Sequence, residues 1–127
     1  MIVLTAVASA KFIARKQWFV VVTDDCFVHV YKYEKRVEKV TSLKAHHSPS
    51  TGCSIDVHPT QPYVLSGCDT QIKLWDWDQD WNCIETFEEH SDDINELKFN
   101  PEDTNSFASA SDDRTVKVLL SPSIILC

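Results

Sequence analysis

His90, Ser109 and Asp113 are the three side-chain types that a hydrolase combines as base, nucleophile and orienting acid. No G-x-S-x-G turn surrounds Ser109, so nothing in the local sequence lifts that hydroxyl out for attack. A second group, His46, His47, Cys53 and His58, offers ligand atoms of the kind zinc accepts, but at spacings that match no standard zinc pattern. With only Gly52 and Gly67 in the chain, a glycine-rich phosphate loop is excluded. What positions these residues is a repeat.

The stretch Leu65 to Trp77 reads L-S-G-C-D-T-Q-I-K-L-W-D-W: an acidic turn at Asp69, then Ile72, Leu74 and Asp76 alternating with Lys73, Trp75 and Trp77. That two-residue period belongs to a strand. Lys117 stands 44 residues after Lys73, Tyr31 stands 44 before Trp75, and Asp25, Asp69 and Asp113 keep the same interval. His46 and His90 are also 44 apart. A period of this length is that of a four-stranded propeller blade. It places His90, Ser109 and Asp113 on separate parts of one sheet, as a hydrogen-bonded polar network rather than a catalytic triad.

On these residues the chain resembles the WD-repeat propellers. His90, Ser109 and Asp113 match the family's structural network, and Trp75-Asp76 matches its closing dipeptide. The strings His58 to Tyr63, Ile72 to Asp78, Phe107 to Ser111 and Lys11 to Lys16 resemble the amino-terminal propellers of coatomer beta-prime subunits over roughly residues 6 to 118. The resemblance implies an all-β fold: a partial propeller of about three four-stranded blades, with repeats over 6–44, 45–88 and 89–118 and a divergent tail at 119–127. It makes the structural network His46, Asp69 and Trp75 in the second repeat, and His90, Ser109 and Asp113 in the third. Leu119 replaces the tryptophan that would donate to this network, and the first repeat has Tyr31 at the same place.

Strands are expected at Ala6 to Ala14, Trp18 to Thr23, Phe27 to Tyr33 and Val37 to Leu43 in the first repeat. In the third they are expected at Ile94 to Phe99, Phe107 to Ala110 and Thr115 to Val118, where the pattern stops. The second repeat carries two extra residues between His46 and Pro59 and loses two between Pro59 and Asp69. This register puts Leu65 at the place of Ser109 and leaves Ser66 one step out of phase. Trp18, Trp75 and Trp77 are expected to fill space between blades, with Trp81 the more exposed ring.

The 127 residues have ordinary globular composition, with 43% hydrophobic and 24% charged residues. A net charge of −7 argues against nucleic acid or an anionic membrane as partner and for a basic or neutral peptide. Cys26, Cys53, Cys68, Cys83 and Cys127 are odd in number and lack a C-x-x-C pair, so neither a disulfide framework nor a zinc knuckle is expected. The apolar opening Met1 to Ala10 lacks the basic flank of a signal peptide and reads as the start of a strand. Three blades leave sheet faces and strand edges open, so the chain reads as incomplete.

By resemblance the function is a non-enzymatic scaffold of the vesicle coat in Golgi to endoplasmic reticulum transport. It would be cytoplasmic, peripheral to Golgi and coated-vesicle membranes, without inserting into them. Its partners would be other coat subunits and dilysine-type cytoplasmic tails, and no cofactor is implied. The peptide-binding rim would be Asp24, Asp92 and Asp112. The family's clamp for the terminal carboxylate, an arginine three residues before Lys11, is Ala8 here, and the first of its paired turn aspartates is Cys68. Two other readings remain: a small hydrolase, and a degenerate fragment without coat function. The open edges and the apolar Ile124, Ile125 and Leu126 predict self-association of the isolated chain at micromolar concentration, seen by light scattering as species heavier than a monomer.

Overall fold

A computed structural model describes residues 2, 4, 6–46, 53–103 and 105–121. These residues form three antiparallel sheets, each a meander in which chain neighbours pair. The first holds β1 (Val7–Ile13), β2 (Trp18–Thr23), β3 (Phe27–Tyr33) and β4 (Val37–Lys44). The second holds β5 (Ser54–Val57), β6 (Tyr63–Cys68), β7 (Gln71–Asp76) and β8 (Asn82–Phe87). The third holds β9 (Ile94–Phe99), β10 (Ser106–Ser111) and β11 (Val116–Leu120). Among the described residues the helical pieces are two 3-10 turns, Ala14–Lys16 and Trp77–Gln79. The fold is the all-β, propeller-like set of blades that the period predicts, with three strands rather than four in the third sheet among the described residues.

The second sheet is the middle layer, and its sequence shows why. Every residue of β6 is buried, because successive side chains enter opposite seams. Ile55, Val64 and Trp75 face the first sheet, where they meet Val20, Val28 and Val30. Leu65, Ile72 and Leu74 face the third, where they meet Ile94, Leu97 and Phe107. Each of these side chains contributes about 1.5–3 kcal/mol by leaving water. The outer sheets have only one covered face. Phe12 is 70% exposed and Val116 and Val118 are each 72% exposed, on faces turned away from the middle layer.

Polar pins cross both seams. The Arg15 guanidinium donates to the carbonyl oxygens of His58 at 3.0 Å and Gln61 at 2.7 Å, and lies 5.0 Å from the Trp77 ring centre. On the other side the Phe99 N–H donates to Asp56 Oδ2 at 2.7 Å, and the Ile94 N–H to the Asp69 carbonyl at 2.8 Å.

Four expectations need correction. Trp81 is 8% exposed and packs on Trp18 and Trp77, because left-handed backbone at Asp80 and Trp81 turns its ring back into the first seam. Burial of so large a ring offsets the roughly 1–2 kcal/mol that each left-handed residue costs. The last strand runs on to Leu120, opposite Ser106, since backbone pairing with β10 does not require a tryptophan at Leu119. Ser66, not Leu65, is the counterpart of Ser109: Ser66 pairs with Lys73 as Ser109 pairs with Lys117. The β6–β7 hairpin is one residue tighter than its third-sheet equivalent, which restores the phase. Finally, Cys53 and Cys68 are joined by a disulfide across β5 and β6, their Cα atoms 4.4 Å apart. Next to the Ser54–Gly67 pair, the antiparallel register sets the two cysteines opposite each other, which sequence spacing alone does not show. Residues 122–127, with the apolar tail, and His47 to Gly52 lie outside the described residues.

Gly67 lies close against the third sheet in the second seam. A Cβ there would stand 3.0 Å from Leu97 Cδ1 and 3.1 Å from Ile94 Cγ2. Gly67→Ala is expected to destabilise the chain by about 1–3 kcal/mol, read as a lower urea midpoint by tryptophan fluorescence.

Candidate functional site

The turns that close β2–β3, β6–β7 and β10–β11 lie on one rim, beside the connectors leading into β5 and β9. Backbone bonds tie each turn to a connector: Ala45 N–H to the Cys26 carbonyl, Ile94 N–H to Asp69, and Asp112 N–H to Asp93, each at 2.8 Å. Each turn also needs one left-handed residue, supplied by Cys26, Asp69 and Arg114.

In the third sheet His90 bridges strand and turn. Its Nδ1 donates to Asp113 Oδ2 at 2.8 Å, and its Nε2 accepts from the Ser109 hydroxyl at 2.7 Å. Asp113 accepts also from the Ser91 N–H and from the Thr115 N–H and hydroxyl. His90 is 5% exposed and Ser109 1%, so the serine is sealed beneath the imidazole rather than open to a substrate. The arrangement orders a turn. It has the parts of a triad without an entrance.

The second sheet repeats this with a substitution. His46 Nε2 lies 3.0 Å from Ser66 Oγ, and the Trp75 indole N–H donates to the same oxygen at 2.9 Å. His46 Nδ1 lies 3.3 Å from Gln71 Oε1. Asp69, expected in that role, occupies the two-residue hairpin with φ 56°, which turns its carboxyl toward Asp93. Ser66 and Gln71 were therefore hidden by the shortened hairpin. In the first sheet Val21 sits opposite His29, where the other sheets set serine opposite lysine, and Tyr31 stacks on Phe19 at 5.3 Å. His58 is buried, and its Nδ1 accepts the N–H groups of Thr60 and Gln61 in the turn before β6.

The rim acids separate into two places. Asp92 and Asp112 are together, with carboxylate oxygens within 4.8 Å of each other and of Asp93, which sequence reasoning missed. The Asn95 amide donates to Asp112 at 2.7 Å. Asp24 stands apart on the first sheet's turn, its N–H bonded to the Ala6 carbonyl. Ala8 is exposed on β1.

Comparison with known proteins accords with this geometry. The family model described as WD domain, G-beta repeat matches residues 37–76 and 81–118, and the chain belongs to that family. It is 48% identical to coatomer subunit beta' of Rattus norvegicus over 112 residues, 88% of this chain and 12% of that protein. Over 44 residues it is 61% identical to coatomer subunit beta'-2 of Oryza sativa subsp. japonica, covering 35% of this chain and 5% of that protein. Coatomer subunit beta'-2 of Arabidopsis thaliana is 54% identical over 44 residues, with the same shares. The chain thus spans only a small part of the length of these relatives.

Two carboxyls on the rim are displaced from the ordinary carboxylate range in opposite directions. The Thr115 hydroxyl, then the His90 ring and the N–H groups of Ser91 and Thr115, hold Asp113 well below the usual carboxylate range against the opposing effect of burial. Its ionised form therefore favours folding above about pH 4, the unfolded value, and that contribution is lost as pH falls through the folded value. Burial first, then the charges of Asp92, Asp69 and Asp112 and a hydrogen bond with Asp69, push Asp93 up. Its contribution is present below about pH 4 and lost as pH rises through the folded value. In urea titrations, Asp113→Asn is expected to lower the midpoint at pH 7 with a deficit that shrinks below pH 4. Asp93→Asn is expected to raise the midpoint at pH 7 and leave it unchanged at pH 3.

Proposed function

We propose that the chain is a non-enzymatic protein-interaction scaffold of the vesicle-coat type, working at the cytoplasmic side of Golgi and coated-vesicle membranes with other coat subunits as partners. The observation that carries this reading is the 112-residue similarity to a coatomer beta' subunit, on a chain that belongs to the WD-repeat family. The sealed His90–Ser109 pair supports a scaffold over a hydrolase, because no substrate carbonyl can reach a hydroxyl 1% exposed. Among the described residues no helix is long and apolar enough to cross a membrane.

The rim fits a basic peptide weakly. Asp92, Asp93 and Asp112 offer carboxylates to lysine ammonium groups, and the raised Asp93 would be relieved by a bound cation. Asp24 lies on another turn, and Ala8 offers nothing to a peptide's terminal carboxylate. The second reading, a fragment without coat function, is favoured by these losses together with Leu119, which leaves Ser109 without an indole donor. Loss of one partner of a desolvated charge pair costs about 2–5 kcal/mol, roughly 30-fold to several thousandfold in affinity. Calorimetry with a peptide ending in a dilysine signal is therefore expected to show binding weaker than micromolar, strengthened by Ala8→Arg. Micromolar binding by the unaltered chain would overturn the placement of the site, and no gain from Ala8→Arg in folded protein would overturn the carboxylate clamp.

A further inference from the structure

The first seam contains a group of sulfurs that neither the turn network nor the rim uses. Cys26, Cys53 and Cys68 come from the β2–β3 turn, the entry to β5 and the end of β6, and their Sγ atoms all lie within 4.8 Å of one another. All three are buried, at 0%, 4% and 0% exposure. Cys53 is bonded to Cys68, and Cys26 Sγ stands 3.9 Å from Cys53 Sγ. The backbone holds Cys26 there: it takes the left-handed position of its turn, its N–H donates to the Thr23 carbonyl, and its carbonyl accepts from Ala45, each at 2.8 Å.

We infer that these three cysteines form a thiol–disulfide exchange site, in which Cys53 passes between Cys68 on its own sheet and Cys26 on the neighbouring one. The Cys26 thiolate attacks Cys53 Sγ; the Cys26–Cys53 bond forms as the Cys53–Cys68 bond breaks. Cys68 leaves as a thiolate and takes up the proton that Cys26 gave up, so no net oxidation or reduction occurs. The sulfurs must close from 3.9 Å to about 2 Å for the new bond to form. Charge favours exchange over metal binding in the same pocket. Both end states of the exchange, a disulfide beside one thiol, are neutral and a thiolate exists only in passing, whereas three thiolates around a divalent ion would keep a net negative charge resident in a pocket shared with Val28, Ala45 and Ile55.

The two bonds differ in what they join. Cys53–Cys68 staples adjacent strands of one sheet, and Cys26–Cys53 fastens the first sheet to the second. The test is peptide mapping of the full chain after equilibration in a glutathione redox buffer, acid quench and alkylation, on a mixture of light and 15N-labelled protein. The unaltered chain is expected to yield both the link within residues 45–73 and residues 17–32 joined to 45–73, the latter with both halves of one isotope. Cys68→Ser is expected to leave Cys26–Cys53 as the intrachain link between these segments, and Cys26→Ser to leave only Cys53–Cys68. The inference is overturned if Cys26 is recovered fully alkylated in both the unaltered chain and Cys68→Ser while Cys26→Ser still forms Cys53–Cys68. Mixed-isotope linkage of Cys26 to Cys53, which marks crosslinking between chains, overturns it as well.

Discussion

A sheet with apolar side chains on both faces must be covered on both, and the second sheet meets that constraint by lying between the other two. Everything else in the structure adjusts to it. At Gly67 a methyl group would press on Ile94 and Leu97 of the neighbouring sheet, which would have to give way. Arg15 spends its guanidinium on carbonyl oxygens of a neighbouring sheet rather than on solvent or a carboxylate. Trp18, Trp77 and Trp81 cluster in the first seam beside the turn after β7, with Trp18 and Trp77 in edge contact at 6.1 Å. Where the constraint is not met, apolar side chains such as Val116 and Val118 stay in water.

The same constraint explains what the sequence revealed. Alternation and the 44-residue period are properties of strands and of their stacking, so the sheets and the pairing of His90 with Ser109 and Asp113 were readable from residue types and spacing. What escaped depended on local closure. One residue fewer in the β6–β7 hairpin moved the serine role to Ser66 and left the carboxylate role to Gln71, a shift invisible to an alignment by period. Trp81 read as exposed because it follows an acidic run, yet two consecutive left-handed residues reverse its direction. The sulfur group escaped because its members are distant in sequence and meet only through register and turn geometry. Asp93 escaped for a similar reason: its neighbours arrive from two other turns.

The polar networks and the rim acids divide the labour of the turns. Beneath the surface, histidine and serine fix where each connector lies, and Trp75 completes the set in the second sheet only. Above them the carboxyls are left facing one another, and their repulsion is held in place by the bonds below. A third sheet without its indole donor still keeps His90 between Asp113 and Ser109, so the network tolerates loss of one member when the turn supplies Thr115 as an additional hydroxyl.

The stretches that match the family do not coincide with the sheets. Residues 37–76 begin in β4, the outer strand of the first sheet, and end with β7 in the second; residues 81–118 run from β8 into β11. Each unit of sequence is therefore lapped across two units of structure, as planks are in a hull. A repeat cannot be peeled away without stripping a strand from the sheet before it, so a pulling force at one repeat is shared with its neighbour.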